Sequence, residues 1–104
     1  MLRLVLCNCS PGESASLAQA LVEEKLAACV NVLPAVTSYY VWQGEFHQDP
    51  EHTLLIKTTA ERYPALKARI EELHSYTTPE IVAFDSVDVL DRYAAWAVEQ
   101  TRAS

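Results

Sequence analysis

Lys25-Leu26-Ala27-Ala28-Cys29-Val30-Asn31-Val32-Leu33-Pro34-Ala35-Val36-Thr37-Ser38-Tyr39-Tyr40-Val41-Trp42-Gln43-Gly44 is the stretch from which the architecture can be worked out. A helical pattern hands over to a strand pattern here, with no loop signal between them. The strand pattern continues to about His47. At roughly 3.3 Å per residue it would run close to 60 Å, whereas a domain of about 100 residues has a radius of gyration near 13 Å. A strand of that length must bend, overhang its own domain or pair outside it.

The flanking segments supply the other elements. Leu2 to Cys9 is a nearly unbroken apolar run, the pattern of a strand buried on both faces. Ser10-Pro11-Gly12-Glu13 has the form of a helix start, with Ser10 as cap and Glu13 completing a capping box. Leu17, Ala18, Leu21, Val22, Leu26 and Ala28 follow at helical spacing. Asp49-Pro50, within the polar segment Gly44 to Glu51, is the turn signal expected before a strand from Thr53 to Thr59. Thr58 and Glu61 frame a second capping box ahead of Tyr63, Leu66, Ile70 and Leu73. Glu80 to Phe84 forms a fourth strand, and Asp88 is the expected cap of a last helix carrying Leu90, Tyr93, Ala94, Trp96 and Ala97.

The resulting order, β-α-β-β-α-β with an added C-terminal helix, predicts one α+β domain over residues 1–104 with a ferredoxin-like sandwich. Right-handed crossovers then give the strand order 4-1-3-2. The first strand is central and the second is an edge, where Pro34 is tolerated. The two crossover helices cover one face of the sheet, yet the first strand is apolar on both. An uncovered apolar face beside a long edge predicts an obligate oligomer.

Composition narrows the function classes. The chain has 104 residues, half of them apolar, only two glycines, and a formal charge of −6. An acidic domain without a basic run argues against nucleic acid and against anionic membranes as partners. No apolar run approaches the roughly 20 residues of a membrane span. Three cysteines, an odd number, fit reduced thiols and a cytoplasmic location. Two glycines leave no phosphate loop, and no carboxylate pair shows separate acid and base environments. The expectation is a protein that is not an enzyme.

Several separated motifs resemble one family. Glu24-Lys25-Leu26-Ala27-Ala28-Cys29-Val30-Asn31, Pro34, Ser38-x-Tyr40-x-Trp42-x-Gly44, Ile56-Lys57-Thr58, His74-x-Tyr76-x-x-Pro79-Glu80-Ile81 and Tyr93-x-x-Trp96 are similar to the divalent-cation tolerance (CutA) family. The resemblance implies a homotrimer with a long hairpin from the second and third strands, a role in divalent-cation tolerance, and binding of Cu2+ or another divalent cation. It carries a metal ligand onto Cys7 and another onto His74. Leu73 stands where a further histidine is expected. Ser75 replaces a usual proline, and Phe84-Asp85 and Val89 also depart from the family pattern.

Cys7 and Cys9 are two apart and share a sheet face. With His74 they form a soft-to-borderline donor set for copper or zinc. The competing reading is two small buried core residues. Cys29 reads as packing. His47 and His52 are expected to flank the hairpin tip. Tyr40, Trp42, Lys57, Tyr76, Glu80 and Trp96 are candidates for an intersubunit cleft or for interface anchors. An aromatic cleft would suit the alternative function, a P-II-like sensor of a small molecule or nucleotide.

Overall fold

The computed structural model describes residues 1–103. Seven elements follow in order: β1 (Leu2–Cys9), α1 (Ser14–Glu23), β2 (Cys29–Trp42), β3 (Glu45–Thr59), α2 (Tyr63–Leu73), β4 (Val82–Asp85) and α3 (Asp91–Gln100). The strands form one antiparallel sheet in the order β2-β3-β1-β4. That is the expected sandwich topology, with β1 inside and β2 at an edge.

The core lies on the sheet face that carries Val5, Cys7, Cys9, Leu54 and Ile56. Leu17 and Leu21 of α1 and Leu66 and Ile70 of α2 close it. A smaller cluster of Leu2, Ala28 and Ala97 seats α3 at one end of the opposite face. The rest of that face is open, with Leu4, Val82 and Phe84 partly exposed. In register across the open face lie Phe84, Leu4, Lys57 and Cys29, then Val82, Leu6, Leu55 and Asn31.

Helix α1 starts and stops inside its predicted limits. Ser10 and Glu13 do bond to each other, Oγ to carboxylate at 2.7 Å. Pro11 to Glu13 nevertheless form a turn, and the helix begins only at Ser14. At its other end Lys25 takes a φ of 60°. The Lys25 N–H then donates to the Val22 carbonyl, and the Leu26 N–H to that of Leu21. This is a Schellman stop with lysine where glycine is usual. Leu26 and Ala28 therefore reach the core from a connection, not from the helix.

The long strand is also corrected. β2 ends at Trp42, and Gln43-Gly44 makes the turn with φ of 51° and 80°. Two successive positive φ values are those of a two-residue type I′ hairpin, and Trp42 pairs directly with Glu45. Asp49-Pro50 lies within β3, opposite Ser38 and Thr37. β1 ends opposite His52, so outward from Glu51 β3 is bordered only by β2, and Pro50 interrupts no central ladder. Pro34 sits where the register slips between Leu33 and Val36, with Ala35 at a φ of 61°. The bulge bends a hairpin that stretches the chain to 44 Å along its longest axis.

Two caps move as well. Thr59, not Thr58, accepts the Arg62 N–H before α2. Thr58 is buried and donates its hydroxyl to the Leu26 carbonyl at 2.7 Å. Helix α3 starts at Asp91, three residues beyond the predicted cap Asp88.

Candidate functional site: an acidic aromatic cleft

At the end of β1 the open face meets the overhanging hairpin and the α2–β4 connection. A cleft of about 970 Å³ lies there. Asn8, Ser38, Tyr40, Trp42, Asp49, Glu51, Tyr76 and Glu80 carry its chemistry, and no lysine or arginine lines it. Strand alternation explains the grouping. Ser38, Tyr40 and Trp42 are two apart on β2, opposite Asp49, His47 and Glu45 of β3.

Two tyrosine–carboxylate bonds organise the cleft. The Tyr40 hydroxyl donates to Asp49 Oδ2 at 2.5 Å, with the Tyr40 ring stacked on His47. This bond raises the Tyr40 phenol above its ordinary range. The Tyr76 hydroxyl donates to Glu51 Oε2 at 2.6 Å. Glu51 is buried although it belongs to the outer hairpin. Burial first, and then the Glu51 carboxylate, push the Tyr76 phenol far above the ordinary tyrosine range.

His74 lies behind the cleft, next to its lining residues Ser75 and Tyr76. Its Nε2 lies 2.8 Å from the Asn8 carbonyl oxygen, and its Nδ1 lies 3.1 Å from the Tyr76 N. A carbonyl only accepts and an N–H only donates, so the ring is neutral, with its proton on Nε2. Its side chain is fully buried. Glu13 adds a second tie. Burial pushes its carboxyl up, but the hydroxyl and N–H donors of Ser75 and Ser10 outweigh that and hold it below the ordinary carboxylate range.

The predicted donors Cys7 and Cys9 lie on the core face, fully buried in the cluster that α1 and α2 close. Burial first, then Cys9 and nearby carboxylates, push the Cys7 thiol up to about 12. Burial, Glu13 and Glu51 push Cys9 up to about 11. A metal needs thiolates and a free imidazole nitrogen. Here the thiols are held protonated and both His74 nitrogens are engaged, so in this arrangement the three residues do not fit a copper ion. Among the described residues no three His, Cys, Asp or Glu side chains are grouped to hold a metal. Leu73, at the expected histidine position, packs against the core.

The remaining candidates separate. Tyr40, Trp42, Tyr76 and Glu80 meet in the cleft. Lys57 lies farther along the open face, bonded to Asn31 Oδ1 and 3.8 Å from Cys29 Sγ. Trp96 packs against Tyr93 on α3, ring centroids 5.6 Å apart. His47 and His52 do not meet at a tip: His47 stacks on Tyr40, and His52 Nδ1 lies 2.7 Å from Ser14 Oγ. Sequence reasoning placed Asp49 and Glu51 with His47 and His52 at the hairpin tip and read Glu13 as a helix cap, and so missed their roles in and beside the cleft. The signal for the first two was their β3 alternation, hidden by the misplaced turn.

The comparisons with known proteins agree with this fold. The family model described as "CutA1 divalent ion tolerance protein" matches residues 3–100. The divalent-cation tolerance protein CutA of Thermus thermophilus is 51% identical over 86 residues, 83% of this chain and 84% of that protein. A solved structure of the Thermus thermophilus protein superposes with a TM-score of 0.93 at 47% identity, covering 98% of this chain and 100% of that one. The PII-like protein CutA from Nostoc in its apo form gives a TM-score of 0.92 at 36% identity, over 96% and 97% of the two chains. By its sequence over nearly its full length, the chain belongs to the CutA1 divalent ion tolerance family.

Proposed function

We propose that the chain serves divalent-cation tolerance by binding, not by catalysis, as a homotrimer that collects divalent cations in its acidic cleft. The observation that carries this reading is the acidity of the cleft lining: the carboxylates of Asp49, Glu51 and Glu80 are spread along it, not grouped around one point, and no basic side chain offsets them. Hydroxyl and amide oxygens from Ser38 and Asn8 add neutral donors. Such oxygens suit hard divalent cations that keep several waters and need only one or two carboxylates. Copper(II) is the softer ion to test beside them.

The trimer reading is supported by the open face and by the hairpin. Tyr39, Val41 and Phe46 are each more than 60% exposed near its tip, an apolar surface that a second copy would cover. Three free cysteines support a reducing, cytoplasmic setting. No helix among the described residues is long and apolar enough to cross a membrane.

A second reading, a small-molecule sensor, is favoured by the rings of Tyr40, Trp42 and Tyr76 around a cleft far larger than an ion. The carboxylates would repel a free nucleotide, which ranks this reading second. One thermal-shift screen separates the two, because selective binding to the native state raises the melting temperature. A rise with manganese(II) or copper(II) alone supports cation binding. A rise with ATP and none with either metal reverses the ranking.

A further inference from the structure

Glu13 contacts two residues of the cleft wall without lining the cleft itself. Its carboxylate accepts from the Ser10 N–H at 3.3 Å and the Ser10 hydroxyl at 2.7 Å. It also accepts from the Ser75 N–H at 3.1 Å and the Ser75 hydroxyl at 2.6 Å, 62 residues away in sequence. One carboxylate thus ties the loop after β1 to the segment after α2. Multiple charge-assisted bonds of this kind are short and directional.

The neighbours of Ser75 show what the tie controls. His74 is fixed between the Asn8 carbonyl and the Tyr76 N–H. Tyr76 leaves this clamp with its ring beside His74, centroids 4.6 Å apart, and its hydroxyl on Glu51. The segment from Ser75 to Glu80 has no helix or strand of its own up to Pro79 and Glu80. Its placement therefore rests on side-chain bonds. Ser75 supplies two of them, and a proline there could donate neither.

We propose that Glu13 is a positioning residue for the cleft: through Ser75 it holds Tyr76 where its hydroxyl reaches Glu51, and so sets one wall of the site. Its functional weight rests on the reading of the cleft as a cation site, but the placement of Tyr76 can be tested without it. Tyr40 is an internal control, because its bond to Asp49 lies wholly within the β2–β3 hairpin.

The test is NMR of the full chain with 13Cζ-labelled tyrosine, Tyr76 being assigned with Tyr76→Phe. Glu13→Gln and Ser75→Ala are compared with the native protein, together with manganese(II) titrations of all three. Ser75→Ala leaves the Glu13 charge in place and reads the clamp alone if Glu13→Gln fails to fold. The expected result is loss of the protected Tyr76 hydroxyl signal in both variants, with the Tyr40 resonance unmoved and cation affinity reduced. An unmoved Tyr76 in folded variants overturns the proposal. So does a common shift of Tyr40 and Tyr76, which would mean general loosening, or a native Tyr76 without a protected hydroxyl. If the native protein binds neither manganese(II) nor, in a parallel titration, copper(II) while Tyr76 responds as expected, the cation reading fails and the positioning role stands.

Discussion

Tyr76 donates its hydroxyl to Glu51 at 2.6 Å, joining the segment after α2 to the middle of β3. Glu51 is only 5% exposed, so this bond is its main compensation for leaving water. A buried acceptor stripped of its donor costs about 1–3 kcal/mol. Tyr76→Phe is expected to lower stability by about that amount in chemical denaturation. An unchanged midpoint would show that Glu51 finds another donor.

Alkaline stability should report the buried thiols. Cys7 is raised to about 12 in the fold, against about 8.5 in an unfolded chain. The folded state holds this proton more tightly. The stability it contributes is thus fully present below about pH 8.5 and is lost as pH rises from there through the folded value. Urea unfolding across pH 8 to 10 is expected to show falling stability, with a shallower slope in Cys7→Ala. Equal slopes would place the Cys7 thiol in a more hydrated setting than the structure shows.

Most of the topology could be read from the chain, because β1 is apolar on both faces and the helical periods are clean. The errors fell where backbone conformation overrode residue preference. Lys25 and Gln43 both adopt positive φ, which neither residue type signals. Asp49-Pro50 looks like a turn but lies on the overhanging part of β3, where a missing N–H costs little. The cleft was half legible. Tyr40, Trp42, Tyr76 and Glu80 stood out, while Glu51 and Glu13 depend on long-range partners that no local pattern reveals. Cys7 was read as a donor from the family resemblance and Cys9 from its spacing, and spacing does not say which face of a sheet is buried.

The hairpin turn offers a direct check of its geometry. Asn-Gly is preferred over Gln-Gly where both central residues take positive φ. Gln43→Asn is expected to raise stability by up to about 1 kcal/mol, the usual scale for relieving a backbone mismatch. A loss of stability would argue against a type I′ turn at Gln43-Gly44.

The open face should govern assembly. Phe84 projects from β4 beside Leu4 with half its surface exposed. A charge placed there would be desolvated in any subunit contact on that face. Phe84→Glu is expected to shift sedimentation from the proposed trimer to monomer while leaving the helical content intact. A native protein that sediments as a monomer at micromolar concentration would show that the open face and hairpin stay uncovered.

The claim on which the rest depends is that the cleft carboxylates, and not the core thiols, hold cations. Calorimetric titration of manganese(II) and copper(II) into the native protein, Asp49→Asn/Glu80→Gln and Cys7→Ala/Cys9→Ala tests it most directly. The first variant is expected to lose at least about tenfold in affinity, about 1.4 kcal/mol, while the second binds as the native protein does. Binding that survives the loss of both carboxylates and disappears with the cysteines would contradict it.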